Sequence, residues 1–213
     1  PGEEHTFIDL YGKEGQFASL DYGEFPEAFF GWQVSLGEIG LDGVAAAPKD
    51  PKTISAKQVA CPNCAGALTL QAPDETMRVG CPYCNSLLDC DKGNLKFLKT
   101  LQYGKKNKVN PLIELGAKGT LYGTEFTVIG FMQRSVKYDR RYYWTEYLLY
   151  DPQRGFCWLV NANDHWNFAE SVSPADVHDY KSSAAYDGKT FKLFERSIAR
   201  VETVLGEFYW KVE

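Results

Sequence analysis

The sequence has no long apolar run. No stretch approaches the eighteen or so consecutive apolar residues that a membrane-spanning helix requires. No basic segment followed by an apolar one stands near the start, which is the pattern of a secretory signal. We therefore expect a cytoplasmic protein with no membrane span.

Signatures of catalysis are also scarce. The chain has three His and lacks the GxSxG, HExxH and phosphate-binding glycine-rich patterns. His165 follows Asp164 directly and Glu207 lies in "LGEFYW", so an unrecognised enzyme that uses His165 and Glu207 is one hypothesis. Neighbouring strand residues point to opposite faces, which argues against Asp164 orienting His165. We expect no enzyme activity, no catalytic residues and no organic cofactor.

Aromatic residues are abundant and favour β structure. The 213 residues include 13 Tyr, 13 Phe and 5 Trp, and 44% are hydrophobic. From Gly116 onward, turn patterns such as "NANDH" and "YDGKT" separate short apolar segments such as "YYWTEYLLY". This predicts a mainly β protein, with an antiparallel β barrel or sandwich and few short helices. One helical turn is expected at Pro174, capped by Ser173.

Four cysteines carry the most specific pattern in the chain. "CPNC" and "CPYC" form CPxC-x16-CPxC, and the metal ligands are expected to be Cys61, Cys64, Cys81 and Cys84. Two such knuckles supply the four thiolates that structural zinc prefers, and the spacer alternates as strands do. A redox dithiol would use one CxxC in a βαβ unit, and disulfides would need an oxidising compartment. Structural zinc is therefore the expected cofactor, with no position open for catalysis.

Composition divides the chain into five segments. Residues 1–41 are expected to form an N-terminal β segment, 42–58 a linker, 59–91 the zinc ribbon, 92–110 a short basic helix with a connector, and 111–213 the β domain. The helix is predicted because Asn94 suits a cap and the leucines at 95, 98 and 101 recur at helical spacing, before Gly104. Its lysines are Lys96, Lys99, Lys105, Lys106 and Lys108.

Binding of nucleic acid or another polyanion is an alternative function. A zinc ribbon often serves it, and one hairpin offers a basic rim with interleaved tyrosines. The rim would comprise Arg134, Lys137, Arg140 and Arg141, with Tyr138, Tyr142 and Tyr143. The net charge of −5 argues for an ordinary solvated surface instead.

Several blocks in order resemble a known family. "LGAKGTLYGTEFTVIGFM", "YYWTEYLLYDPQRGFCWLV", "HWNF" and the closing "VLGEFYWKV" are similar to the bacterial domain of unknown function 4178 (DUF 4178), here preceded by a CPxC/CPxC zinc ribbon. The resemblance covers 61–213, and residues 1–41 look like the end of a preceding copy in longer members. It implies a bacterial, cytoplasmic accessory protein, set near polyamine-synthesis and membrane-stress genes, and carries over no catalytic residues.

Together these observations predict a non-catalytic accessory or adaptor protein with a protein partner. The candidate surface is the aromatic run Phe208, Tyr209 and Trp210, although a core would claim alternate members of it. The identity of the partner and the oligomeric state are left open by the sequence.

Overall fold

The computed structural model describes residues 5–13, 15–22, 27–35, 38, 56–101, 109–180 and 182–212. These residues form antiparallel strands and a single 3₁₀ turn at Pro174–Asp176, where the Ser173 hydroxyl accepts from the Ala175 N–H as the sequence predicts. The strands are β1 His5–Tyr11, β2 Gln16–Tyr22, β3 Glu27–Val34, β4 Lys57–Ala60, β5 Ala67–Leu70, β6 Arg78–Gly80, β7 Ser86–Asp91, β8 Asn94–Thr100, β9 Lys118–Leu121, β10 Thr124–Lys137, β11 Arg141–Asp151, β12 Gly155–Ala162, β13 His165–Val172, β14 His178–Tyr180, β15 Ser183–Tyr186 and β16 Lys189–Phe208.

Eight of these strands close into a barrel. They pair in the cyclic order β16, β1, β2, β3, β13, β12, β11, β10 and back to β16, and every pairing is antiparallel. Closure gives each barrel strand two neighbours, so no long edge is exposed to solvent along the ring. The predicted mainly β class is confirmed, and of the two architectures expected the structure has the barrel.

The N-terminal strands are part of this ring. β1, β2 and β3 lie between β16 and β13 and supply three of the eight barrel strands. Their outer face packs Ile8, Leu10 and Leu20 with Phe191 beneath the β14–β15 hairpin. Residues 42–55 of the predicted linker lie outside the described residues.

The long strand β16 changes partners at a junction of three glycines. Gly206 lies opposite Gly130 of β10 and Gly80 of β6. Gly206 has a φ of +79°, and a Cβ there would lie 2.2 Å from the Ile129 carbonyl oxygen. Only glycine fits such a close approach with a left-handed backbone. Through β6, the sheet continues into β7 and β8. β6 and β7 belong to residues 59–91, the cysteine segment, which carries both CPxC knuckles.

The predicted helix after the cysteines is wrong over its described part. Residues 94–100 form β8, which pairs with β7 through a two-residue turn at Lys92 and Gly93, both with positive φ. This is the turn geometry that joins twisted antiparallel strands tightly, and "DKGN" is its sequence signal. Leucines at 95 and 98 satisfied a helical period, but the local hairpin and pairing with β7 override helical propensity. Gly104 and the lysines at 105, 106 and 108 lie outside the described residues.

Candidate functional site

The two cysteine knuckles have the same backbone geometry. In the first, the Ala65 N–H donates to the Cys61 carbonyl at 2.8 Å; in the second, the Asn85 N–H donates to the Cys81 carbonyl at 3.0 Å. Ala65 and Asn85 both have positive φ, at 59° and 56°. Each knuckle thus turns sharply enough to direct two thiols to one point.

The four sulfurs of Cys61, Cys64, Cys81 and Cys84 meet in one cluster, all within 4.8 Å of one another. The Cys61–Cys84 and Cys64–Cys81 sulfur pairs are each 3.8 Å apart. Metal–sulfur bonds of about 2.3 Å in a tetrahedron place the sulfurs about 3.8 Å apart, so these residues fit a four-thiolate metal ion. All six cysteines are free, and 3.8 Å is far longer than a disulfide bond.

Polar side chains lie beside the Cys84 sulfur. The Ser86 hydroxyl lies 3.2 Å from the Cys84 sulfur, and the Asn63 amide donates to that hydroxyl at 2.9 Å. Such second contacts fix the orientation of a metal ligand. The cluster could therefore hold a metal ion, with all four positions taken by protein thiols.

Glu207 joins the cysteine segment to the barrel. Its carboxylate accepts from the backbone N–H groups of Gln71 at 2.6 Å and Ala72 at 3.0 Å, and from the Thr76 hydroxyl at 2.9 Å. Burial raises the pKa of Glu207, and these three hydrogen bonds act in the opposite direction. Ala72 and Leu87 from the cysteine segment pack into the same apolar cluster as Phe208, Trp158 and Val212, so this segment covers one end of the barrel.

The barrel encloses a cavity of about 250 Å³ lined by residues from all eight of its strands. An eight-stranded barrel is just wide enough either to be filled by side chains or to hold one small ligand. Here small side chains stand at inward positions, among them Ser19, Ala162, Ala169, Ser197 and Ala199. They leave the interior partly unfilled, and this space is the lumen.

One row of lumen residues crosses four strands. Glu195 of β16 lies directly opposite Asp9 of β1, which lies opposite Ser19 of β2, which lies opposite Phe29 of β3. The Ser19 hydroxyl donates to Asp9 at 2.8 Å. The Asp9 side chain is reached by water, yet the surrounding barrel wall raises its pKa by desolvation, opposed by the Ser19 hydrogen bond and the charge of Arg134. Desolvation and the charge of Asp9 likewise raise the pKa of Glu195.

The sequence carries a faint signal for this row. In "FIDLY", alternation places Phe7, Asp9 and Tyr11 on one face of a strand, so a carboxylate shares a face with aromatic residues. A charge at such a position is unusual on a core face, but whether that face meets solvent or a lumen depends on barrel closure.

His165 and Glu207 have separate partners in the structure. His165 is exposed at the start of β13, where its Nδ1 lies 3.0 Å from the Gln33 amide, whereas Glu207 is 2% exposed and bound to the 71–76 segment. Asp164 lies in the two-residue turn before His165. Burial raises the pKa of the Cys157 thiol to about 12, as expected for a buried free cysteine.

The basic hairpin between β10 and β11 differs from the expected rim. Arg134 is 6% exposed and points into the lumen, with its Nε 3.5 Å from a Glu146 oxygen. Arg141 pairs with Glu202 at 2.6 Å, and Arg140 lies over the Tyr142 ring at 4.9 Å. The prediction that Arg134 belongs to a surface rim is therefore wrong, because the alternation of side chains along β10 directs Arg134 into the barrel.

The aromatic run 208–210 is not an open surface. Phe208 is completely buried, Tyr209 stacks on Phe156 at 4.5 Å, and Trp210 packs edge-on against Phe208 and Trp158 at 5.0 Å. The candidate protein-binding surface is therefore wrong at Phe208, whereas Tyr209 and Trp210 are half-buried and pack at the same end of the barrel.

Comparisons with known proteins identify the C-terminal part. Residues 114–213 match the model of a family described as Domain of unknown function (DUF4178). The matched segment starts after the cysteine knuckles and includes β9 to β16, five of which are barrel strands. No curated protein and no solved structure gives a significant match to the chain. In the described part of the chain, no helix has the length and apolar character to cross a membrane.

Proposed function

We propose that this chain, whose residues 114–213 match the DUF4178 family model, is a non-catalytic accessory protein that binds a small molecule in the lumen of its barrel. One observation carries this proposal: a closed eight-stranded ring surrounds a cavity of about 250 Å³ lined by both aromatic and polar side chains. A cavity of about 150 Å³ is enough to admit benzene, so the lumen has room for a larger molecule. Concave sites with apolar walls and a few convergent polar groups are the usual form of ligand sites.

The cysteine cluster has a structural role in this proposal. Zinc is the metal that best suits four thiolates in tetrahedral geometry, and a closed shell leaves no position for a substrate. The segment held by the metal covers the barrel end through Ala72 and Leu87. Zinc would thus keep the floor of the lumen in place.

A lumen-filling substitution tests the proposal. Ser197 lines the lumen, whereas the next residue, Ile198, is 51% exposed on the outer face. A fragment library of neutral, anionic and cationic compounds is screened by NMR for saturable shifts of lumen residues. We expect hits that lose at least tenfold in affinity in Ser197→Phe and less than twofold in Ile198→Phe. A library without saturable hits at the lumen, or hits unaffected by Ser197→Phe, would contradict the proposal.

The protein partner and cytoplasmic location stay predictions, as does the link to polyamine metabolism or membrane stress implied by the family. With Phe208 buried, β16 offers a better surface for a partner around Phe194 and Ile198, which are 68% and 51% exposed. Affinity purification from the native host, with Phe194→Ser as the comparison, checks this surface. Loss of a specific partner in that variant is the expected result.

A further inference from the structure

The lumen carries an excess of negative charge. Among the described residues that line it, the carboxyl and guanidinium groups are Asp9, Glu27, Glu146, Glu195 and Arg134. Four acids and one base leave a net charge of −3 when all are ionised. Glu146 lies against Arg134, so this pair is largely self-compensating, and Asp9 and Glu195 contribute to the remaining excess.

Asp9 and Glu195 form the centre of this excess. They face each other directly across β1 and β16, and like charges at directly opposed positions of an antiparallel pair are unfavourable. Desolvation raises the pKa of both groups, and the charge of Asp9 raises the pKa of Glu195 further. If these two positions served only to pack the barrel interior, an uncharged pair would be more stable there. The two carboxylates are therefore suited to binding a cation.

The walls of the same cavity limit which cation fits. Aromatic side chains from four strands line it: Phe17, Phe29, Trp144 and Trp158. Phe29 lies in the same cross-strand row as the two carboxylates and packs edge-on against Trp158 at 6.2 Å. Aromatic faces attract organic cations and bury apolar groups, whereas Mg²⁺ and Ca²⁺ need shells of six or more oxygens.

From this combination we infer that the lumen binds an organic ammonium compound, with its charged nitrogen at Asp9 and Glu195 and its apolar body against the aromatic walls. The inference rests on the proposed function and names the chemical class of its ligand. The Ser19 hydroxyl, which donates to Asp9, orients that carboxylate. The positive charge of the Arg134 guanidinium makes the potential near Asp9 less negative, but it does not cancel the excess of negative charge in the lumen.

Three probes of equal length test the inference. Hexylammonium, 1-hexanol and hexanoate are titrated into the protein at pH 7.5, with binding followed by calorimetry and by fluorescence of the lumen tryptophans. We expect hexylammonium to bind at least tenfold more tightly than 1-hexanol, and hexanoate to bind most weakly. The Asp9→Asn and Glu195→Gln variants should each lose at least fivefold in hexylammonium affinity, and the double variant should bind hexylammonium and 1-hexanol about equally.

Glu125→Gln is the matched control. Glu125 is a carboxylate outside the lumen, paired with Lys118 at 3.2 Å, and its variant should stay within twofold of the parent for all three probes. Tighter binding of 1-hexanol or hexanoate than of hexylammonium overturns the inference and leaves the binding function intact. Displacement of hexylammonium by millimolar Ca²⁺ also overturns it, in favour of a metal ion. If neither these probes nor the fragment library binds the lumen, both the inference and the proposed function are refuted.

Discussion

Removing the Glu207 carboxylate should separate the cysteine segment from the barrel and destabilise the whole protein. In Glu207→Ala, the N–H groups of Gln71 and Ala72 and the Thr76 hydroxyl lose their common acceptor. A buried donor left without a partner costs about 1–3 kcal/mol. Relief from burying a charge offsets part of this, so we expect a loss of about 3–4 kcal/mol, a large share of the roughly 5–15 kcal/mol typical of folded proteins.

Urea unfolding followed by tryptophan fluorescence measures this loss. Glu207→Gln keeps one oxygen acceptor and the side-chain shape, so it should lose about 1–2 kcal/mol. Because the folded state raises the pKa of Glu207, the protonated form is favoured on folding. The contribution of this group to stability is therefore greatest below the unfolded pKa and declines as the pH rises through the folded pKa. The penalty for Glu207→Gln should accordingly be greatest at low pH and fall as the pH rises above the ordinary pKa of a glutamate.

The exposed pair Glu125–Lys118 gives the comparison for Glu207. Glu125→Gln removes one surface ion pair, for which we expect less than about 1 kcal/mol. If Glu207→Ala unfolds at the same urea concentration as Glu125→Gln, Glu207 does not hold the cysteine segment on the barrel and the reasoning is refuted.

Three further predictions follow from the same structure. Gly206→Ala should lower the free energy of unfolding by about 2 kcal/mol or more, because the left-handed backbone is strained and the new Cβ clashes with the Ile129 carbonyl. The melting temperature should fall by about 4–8 °C, and an unchanged value would contradict the junction geometry. Cys64→Ser should reduce the bound zinc measured by elemental analysis and raise hydrogen exchange over residues 59–91. The control Cys157→Ser should keep one equivalent of zinc, and zinc retained in Cys64→Ser would argue against the site. Asp9→Asn should raise the urea midpoint at pH 7, because desolvation penalises the ionised parent carboxylate and Glu195 lies directly opposite it, while the Ser19 hydrogen bond and the Arg134 charge offset only part of this. The gain should vanish near pH 3, and a loss at pH 7 would contradict the prediction.

The local elements were largely predictable from the sequence. The mainly β class followed from the alternation in β10 to β13, and the cysteine cluster from two CPxC knuckles whose spacing alone implies convergence. The helix predicted at Asn94 failed because a leucine period of three and a hairpin signal at Lys92 and Gly93 overlap in one short segment. There the strand pairing with β7, a non-local contact, decides between them.

Residues with distant partners were not predictable. Arg134, Phe208 and Glu207 each lie on strands with a clear pattern, but alternation states only that neighbours face opposite ways. Which face is the lumen depends on β1 to β3 joining a ring with strands more than a hundred residues later.

By itself the sequence determined the chemistry of the thiol cluster, the strand class and the turns, because these depend on residues close together along the chain. Only the tertiary structure decided that the strands form a barrel, that Phe208 and Trp210 close its floor, and that Asp9 and Glu195 meet inside it. The physical reason is that strand pairing joins residues far apart in sequence. A lumen and its charge exist only once the ring is closed.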